Sequence, residues 1–251
     1  MQLGDLTWPA VHDLAKSTPV VIPIAALEQH GHHLPVFTDS MLLGEVVRRA
    51  AEHLQREVLF TPLMWLGNSE HHLDFAGTLT AAPRTYLNLL GDLVENLLHH
   101  GFQRIVLLNG HGGNTVPSQQ ALFEVRQRHR ERKDLLLLAA TYWTLPGDQP
   151  RPPGLTQSEM GHACEWETSM ILRIAPHLVG PLQNLSPVPQ TTPFAPGHRA
   201  WVTQDRTTAG HIGDPRQATA EKGEQLLQYF STAAVNWLRR VVAWDGRAWE
   251  G

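Results

Sequence analysis

One cysteine in 251 residues, Cys164, leaves no internal disulfide to form and no thiolate cluster to hold zinc. Lysine is almost as scarce, at three residues, and the net charge is −4. A face that binds nucleic acid needs basic residues against phosphates, and the richest basic run, RQRHRERK at 126–133, reads as the solvated end of a helix. No apolar run approaches the roughly 18–20 residues that span a bilayer. The opening MQLGDLTWPA lacks the basic and then apolar pattern of a secretory signal. The expectation is a cytoplasmic protein with neither a membrane nor a nucleic-acid partner.

Histidine is what the chain has in excess, with 15 residues. It titrates near neutrality and is the commonest metal ligand, so its placement matters. Otherwise the composition is ordinary, 42% hydrophobic and 18% charged, and the length suits one large α/β domain over 1–251.

Apolar runs at 19–26, 57–65, 104–109 and 134–142 read as strands. Helical spacing marks about 40–55, 82–100, 115–131, 162–174 and 217–240, with Pro- and Gly-rich segments at 144–160 and 181–200. Alternation of this kind predicts a mostly parallel sheet flanked by helices. In such sheets ligands sit at the carboxyl ends of the strands, and EQHGHH and NGHGGN both fall there.

In the first cluster, Glu28 and His30 are two residues apart and point to one side of an extended segment, with Asp39 at the mouth of the next helix. Asp39 as a plain helix cap is the competing reading. In the second, His111 sits among Gly110, Gly112 and Gly113, where the backbone turns sharply and a ligand can approach closely. The third, GHACEWETS, places His162 and Glu165 three apart on one helical face and sends Glu167 elsewhere. Cys164 reads as a small buried residue. A fourth patch, Glu70-His71-His72, either lines a pocket through His71 or is a polar loop. Trp143 and Trp166 offer stacking surfaces for a substrate, or core packing.

Glu28, His30, Asp39, His111 and Glu165 form a ligand set of two imidazoles and three carboxylates. It suits Zn²⁺ first, with Mn²⁺ or Fe²⁺ as alternatives. Five ligands exceed the need of one catalytic zinc and match two ions if one carboxylate bridges.

PIAALEQHGHHLPVFTDS, SEHHLDFAGTLT, NGHGGN and GHACEWETS together resemble the creatininase (creatinine amidohydrolase) family, in family order over about residues 20–175. The resemblance implies an α/β fold, two divalent metal ions and hydrolysis of an amide C–N bond by a metal-bridging hydroxide. It assigns Glu28, Asp39 and His111 to one ion, and His30, Asp39 and Glu165 to the other. Proton transfer falls to His162. It also implies a homo-oligomer, often a hexamer in the family, and a small-molecule amide substrate. Creatininase proper has a glutamate where this chain has Gly113 and a tryptophan where it has Ser158, which argues against creatinine itself. The NGHGGN branch resembles formamide hydrolases and the peptidase of mycofactocin maturation, so formamides, cyclic amides and short peptides are the expected substrates. A metal-dependent lactonase or isomerase acting on a sugar-like compound, and a metal-binding protein without activity, are the alternatives.

Overall fold

Strand β1, Val20–Ile24, is buried along its whole length, as its unbroken apolar run requires of a strand covered on both faces. Successive side chains divide between two cores: Val20, Ile22 and Ile24 enter one and Val21 the other. The computed structural model describes residues 1–249. It pairs β1 with β2 (Leu59–Phe60) on one side and β3 (Arg104–Asn109) on the other, and β3 with β4 (Leu136–Thr141). The order is β2-β1-β3-β4 and every pairing is parallel.

A short helix α1 (Trp8–His12), opened by Pro9 at its first turn, precedes the sheet; no sequence periodicity marks so brief an element. Five longer helices follow: α2 (Thr38–His53), α3 (Pro83–His99), α4 (Thr115–Arg128), α5 (Glu165–Ile174) and α6 (Ala220–Ala243). Helices α3 and α4 close the core that contains Ile105 and Leu107. Helices α2, α5 and α6 close the opposite core around Val106 and Leu108. This is the parallel sheet flanked by helices that the alternation of elements implied.

Most boundaries shift by one to three residues, and two of the differences have a clear physical cause. The strand expected over 57–65 stops at Phe60; Pro62 has no N–H for a ladder, and the chain rejoins β1 only through a bridge at Met64. The helix expected from residue 162 starts at Glu165, because Ala163 takes a left-handed backbone (φ 47°) and Cys164 is extended. That shift decides the fate of one candidate ligand.

The register aligns Ile24 with Asn109, and Asn109 with Thr141. Three strands therefore end level, and the segments that follow them converge on one edge.

Helices α5 and α6 touch through Gly223, where a β-carbon would collide with the Ser169 carbonyl. Helix propensity alone would make Gly223→Ala stabilising by about 1 kcal/mol. Overpacking at this contact wins, and the variant is expected to lose about 1–3 kcal/mol in denaturant unfolding. An unchanged or raised midpoint would show that the helices have room to separate.

Candidate metal and catalytic site

The level strand ends carry the buried polar residues. Asn109 closes β3 and fixes the turn behind it. Its Oδ1 accepts from the His111 N–H at 2.9 Å, and its Nδ2 donates to the His111 carbonyl at 2.7 Å and to Thr141 Oγ1 at 3.1 Å. Asn114 ties the same turn to the neighbouring strand, donating to the Ala25 carbonyl at 2.9 Å and accepting from the Asn68 N–H at 2.9 Å. Both asparagines are structural. Gly113 is obligatory: a β-carbon would strike the Asn68 carbonyl and come within 2.9 Å of His71 Cε1.

Glu28, His30, Asp39 and His111 come together, each at most 5% exposed. Asp39 makes no capping bond; its carboxylate turns away from the helix backbone and lies between two imidazoles. Oδ1 is 3.1 Å from His30 Nε2 and Oδ2 is 3.0 Å from His111 Nδ1. Glu28 Oε1 is 3.3 Å from the same His111 nitrogen. Each imidazole is oriented from behind. His30 Nδ1–H donates to the Glu28 carbonyl at 3.1 Å, and His111 Nε2–H to the Asn68 carbonyl at 3.0 Å. Those bonds leave His30 Nε2 and His111 Nδ1 aimed at the carboxylates.

Glu165 is not part of this cluster, which corrects the sequence reading. Both of its oxygens are saturated elsewhere: Oε1 accepts from Lys222 Nζ at 2.6 Å, and Oε2 from Thr156 N, Thr156 Oγ1 and Gln157 N at 2.9, 2.7 and 2.9 Å. The residue that reaches the site is Glu167, whose Oε1 is 3.9 Å from His30 Nε2. The three-residue argument assumed that His162 lies on the helix. Because α5 begins three residues later, His162 is held in extended backbone by paired hydrogen bonds with Ile212, and the helix presents Glu167 to the strand ends instead.

His162 does reach the site. Its Nε2–H donates to the Gln29 carbonyl at 2.9 Å, and Nδ1 stands 3.7 Å from Glu28 Oε1. His72 lies 3.4 Å from the same oxygen. The sequence reading sets His72 in a possible pocket wall and Gln29 within the first cluster, and gives neither a role; neither spacing nor type distinguishes them from loop residues.

Burial dominates the electrostatics. It pushes His162 below its usual range and His72 down to about 3, so both imidazoles are neutral at pH 7. Burial also opposes charge on His30, but Asp39, Glu167 and Glu28 outweigh it and raise that imidazole to about 10. Glu167 is pushed up to about 7, by burial first, with Asp39 and Glu28 adding to it against the pull of His30. The Cys164 thiol is driven up to about 12 by burial, which leaves no thiolate for nucleophilic work.

A cavity of about 840 Å³ opens over these groups, lined in part by His71, Gly112, Gly113 and Trp143. Trp166, the fifth expected substrate contact, is absent from it. It packs into the core against Phe230, with ring centroids 6.1 Å apart, because its place on α5 faces α6. Trp201 takes a place in the wall instead, edge-on to His71 at 4.9 Å. It lies in the irregular 181–200 region's continuation, where no periodicity marks a pocket residue.

The family model for creatininase, creatinine amidohydrolase, matches residues 4–238. The chain belongs to the creatininase family. A creatinine amidohydrolase from Pseudomonas putida is 29% identical over 242 aligned positions, 90% of this chain and 91% of that protein. A mycofactocin precursor peptide peptidase from Mycobacterium tuberculosis is 30% identical over 258 aligned positions, 96% of this chain and 92% of that one. Solved creatininase structures, a variant in a zinc–zinc form and a manganese form, superpose with TM-scores of 0.80 and 0.79. Each is 28% identical and covers 95% of this chain and 97% of its own. Among the described residues no helix is long and apolar enough to cross a membrane.

The two glutamates in the first turn of α5 should behave oppositely in metal-free protein. Glu165→Ala strands Lys222 beside a buried gap and is expected to cost about 3 kcal/mol at any pH above the carboxylate range. Glu167 has a folded pKa raised from 4.5 to about 7, so its contribution is destabilising, growing as pH climbs through that window and complete above it. Glu167→Gln is therefore expected to be more stable than wild type at pH 8, by a few kcal/mol, with the difference gone near pH 4. Urea unfolding across pH decides; a loss of stability for Glu167→Gln at pH 8 would contradict the electrostatic account.

Proposed function

We propose that this creatininase-family amidohydrolase holds two divalent metal ions and hydrolyses the C–N bond of a small amide, formamide or short peptide. The observation that carries the reading is Asp39, which offers one carboxylate oxygen to each of two oppositely placed imidazoles. Around Oδ2 stand His111 Nδ1 and Glu28; around Oδ1 stand His30 Nε2 and Glu167. These are the two ligand groups, with Asp39 shared and Glu167 in the place that the family resemblance gave to Glu165.

The donors fit such ions. Glu28 Oε2 and Glu167 Oε2 are buried without a hydrogen-bond partner, which is costly unless a cation answers them. Several sets of three donors within this cluster, Glu28-His30-Asp39 and His30-His162-Glu167 among them, have ligand atoms within 4.8 Å of one another. Nitrogen and carboxylate donors without thiolate suit zinc or manganese. When bound, a pair of such ions supplies Lewis acidity toward a carbonyl oxygen and acidifies water.

The remaining chemistry belongs to side chains. His162 is neutral, with its Nε2–H committed to Gln29 and Nδ1 free on the cluster side. It is thus set to take a proton at Nδ1 and return it to the departing nitrogen. Glu28 Oε1, 3.7 Å away, steadies the imidazolium that this step creates. Trp143 and His71 bound the space in which the amide lies, and Gly112 and Gly113 keep the floor open.

Asp39→Asn and His162→Ala separate these roles. Asp39→Asn is expected to lose both metal content and turnover. His162→Ala is expected to keep its metal and to lose turnover by about 10²–10⁴-fold on whichever amide proves active. Elemental analysis beside an amine-release assay reads both. Loss of metal in His162→Ala would make it a ligand, and full metal content in Asp39→Asn would remove the shared carboxylate from the account.

A further inference from the structure

One wall of the cavity comes from the irregular segment that ends in a tight turn at Thr203–Asp205. The turn is docked on the site: Thr203 Oγ1 donates to the His71 carbonyl at 2.6 Å and lies 2.8 Å from His72 Nδ1. The next residue is Arg206, whose backbone N–H closes the turn on the Thr203 carbonyl at 3.0 Å. Its guanidinium lies 4.9 Å from the Trp201 ring centroid, and Trp201 meets His71 at 4.9 Å. His71 in turn stacks on His111 at 5.7 Å, so three contacts connect Arg206 to the carboxylate cluster.

Arg206 is half-buried, yet its guanidinium makes no hydrogen bond and has no carboxylate within 4.0 Å among the described residues. Burial lowers its pKa and no acid offsets the effect. Five donors are thus withdrawn from part of their water and given nothing in return. The other well-covered arginines are satisfied: Arg49 pairs with Glu45 and Glu224, and Arg104 donates to the carbonyls of Val241, Val242 and Trp244. A second cavity, of about 290 Å³, meets the first at Arg206 and adds Arg199. Arg199 and Arg206 share that second cavity with Asp205, whose carboxylate accepts from the Val202 N–H at 3.1 Å, while Glu28, Asp39 and Glu167 lie in the first.

We propose that Arg206 is a specificity residue that binds an anionic group, a carboxylate or a phosphate, on the amide substrate, away from the scissile bond. The proposal rests on the hydrolase reading and names the class of amide. A guanidinium offers two parallel N–H groups to such an anion and can stay stacked on Trp201 while doing so. With its anion held at Arg206, the rest of the molecule extends along the cavity toward His111 and His162. A neutral ring amide would leave the guanidinium unanswered.

The test uses zinc-loaded wild type, Arg206→Gln and Arg206→Lys with two matched pairs of probes. One pair is glycyl-phenylalanine and its carboxamide; the other is N-formylethanolamine phosphate and N-formylethanolamine. Calorimetry gives the dissociation constants and amine release gives kcat/KM. Wild type is expected to favour the anionic member of at least one pair by roughly 10- to 100-fold, as a charged hydrogen bond warrants. In Arg206→Gln the ratio should fall to near one, with partial recovery in Arg206→Lys, which keeps the charge and loses the fork. The pair that shows the preference identifies carboxylate or phosphate. No preference in either pair, absence of binding included, overturns the proposal, as does a preference that survives in Arg206→Gln, which would put the anion on the metal. Binding preference without amine release from any probe would support Arg206 and count against the hydrolase reading.

Discussion

Three carboxylates and two imidazoles converge at the ends of β1 and β3 in a space almost closed to water, and the rest of the structure is arranged around that convergence. Buried acids repel one another and resist ionisation, yet Glu28 is held well below the usual carboxylate range. Burial opposes its charge, and His111, which charges and hydrogen-bonds to it, outweighs burial. Glu167, with less positive charge near it, is pushed up to about 7. The cluster is thus an electrostatic debt that protons meet in part when no metal is bound, on His30 and His111. Cations held by the same donors would displace those protons.

The sheet makes the convergence possible by ending three strands in register, but the orientation of each ligand atom comes from a further layer of polar contacts. The Glu28 carbonyl fixes the tautomer of His30, the Asn68 carbonyl that of His111, and the Gln29 carbonyl that of His162. Gly113 admits the Asn68 carbonyl to its position by having no side chain. In this backbone no carboxylate fits at residue 113, and Glu167 supplies the third acid from α5. The irregular segment 176–215 contributes in the same way: Ile212 pins the backbone of His162 and Thr203 secures His71 and His72.

Much of this was legible in the sequence. The strand RIVLLN was read with its observed bounds because a short β-branched run closed by a glycine turn has no competing interpretation. Glu28 and His30 were paired by the period of an extended chain, and His111 by the turn that holds it. Glu165 was misplaced for a definite reason. A helix start decides which side chains share a face, and the left-handed Ala163 that sets this start has no signature in GHACEWETS. Moving the start to 165 exchanges the roles of two glutamates that are chemically identical. Trp166 takes the core-packing alternative of its reading, since α5 turns it toward Phe230. Trp201 and Arg206 lay beyond reach because they come from irregular backbone, where contacts are set by tertiary docking and no period exists to read.

The most direct test of the account is anomalous diffraction from crystals grown with zinc and, separately, with manganese, recorded at each metal's absorption edge. Two peaks are expected, one on either side of the Asp39 carboxylate, with His111 and Glu28 on the first and His30 and Glu167 on the second, and with Glu165 still bonded to Lys222. A single peak, or a metal ligated by Glu165, would contradict the shared-carboxylate site on which the proposed chemistry depends.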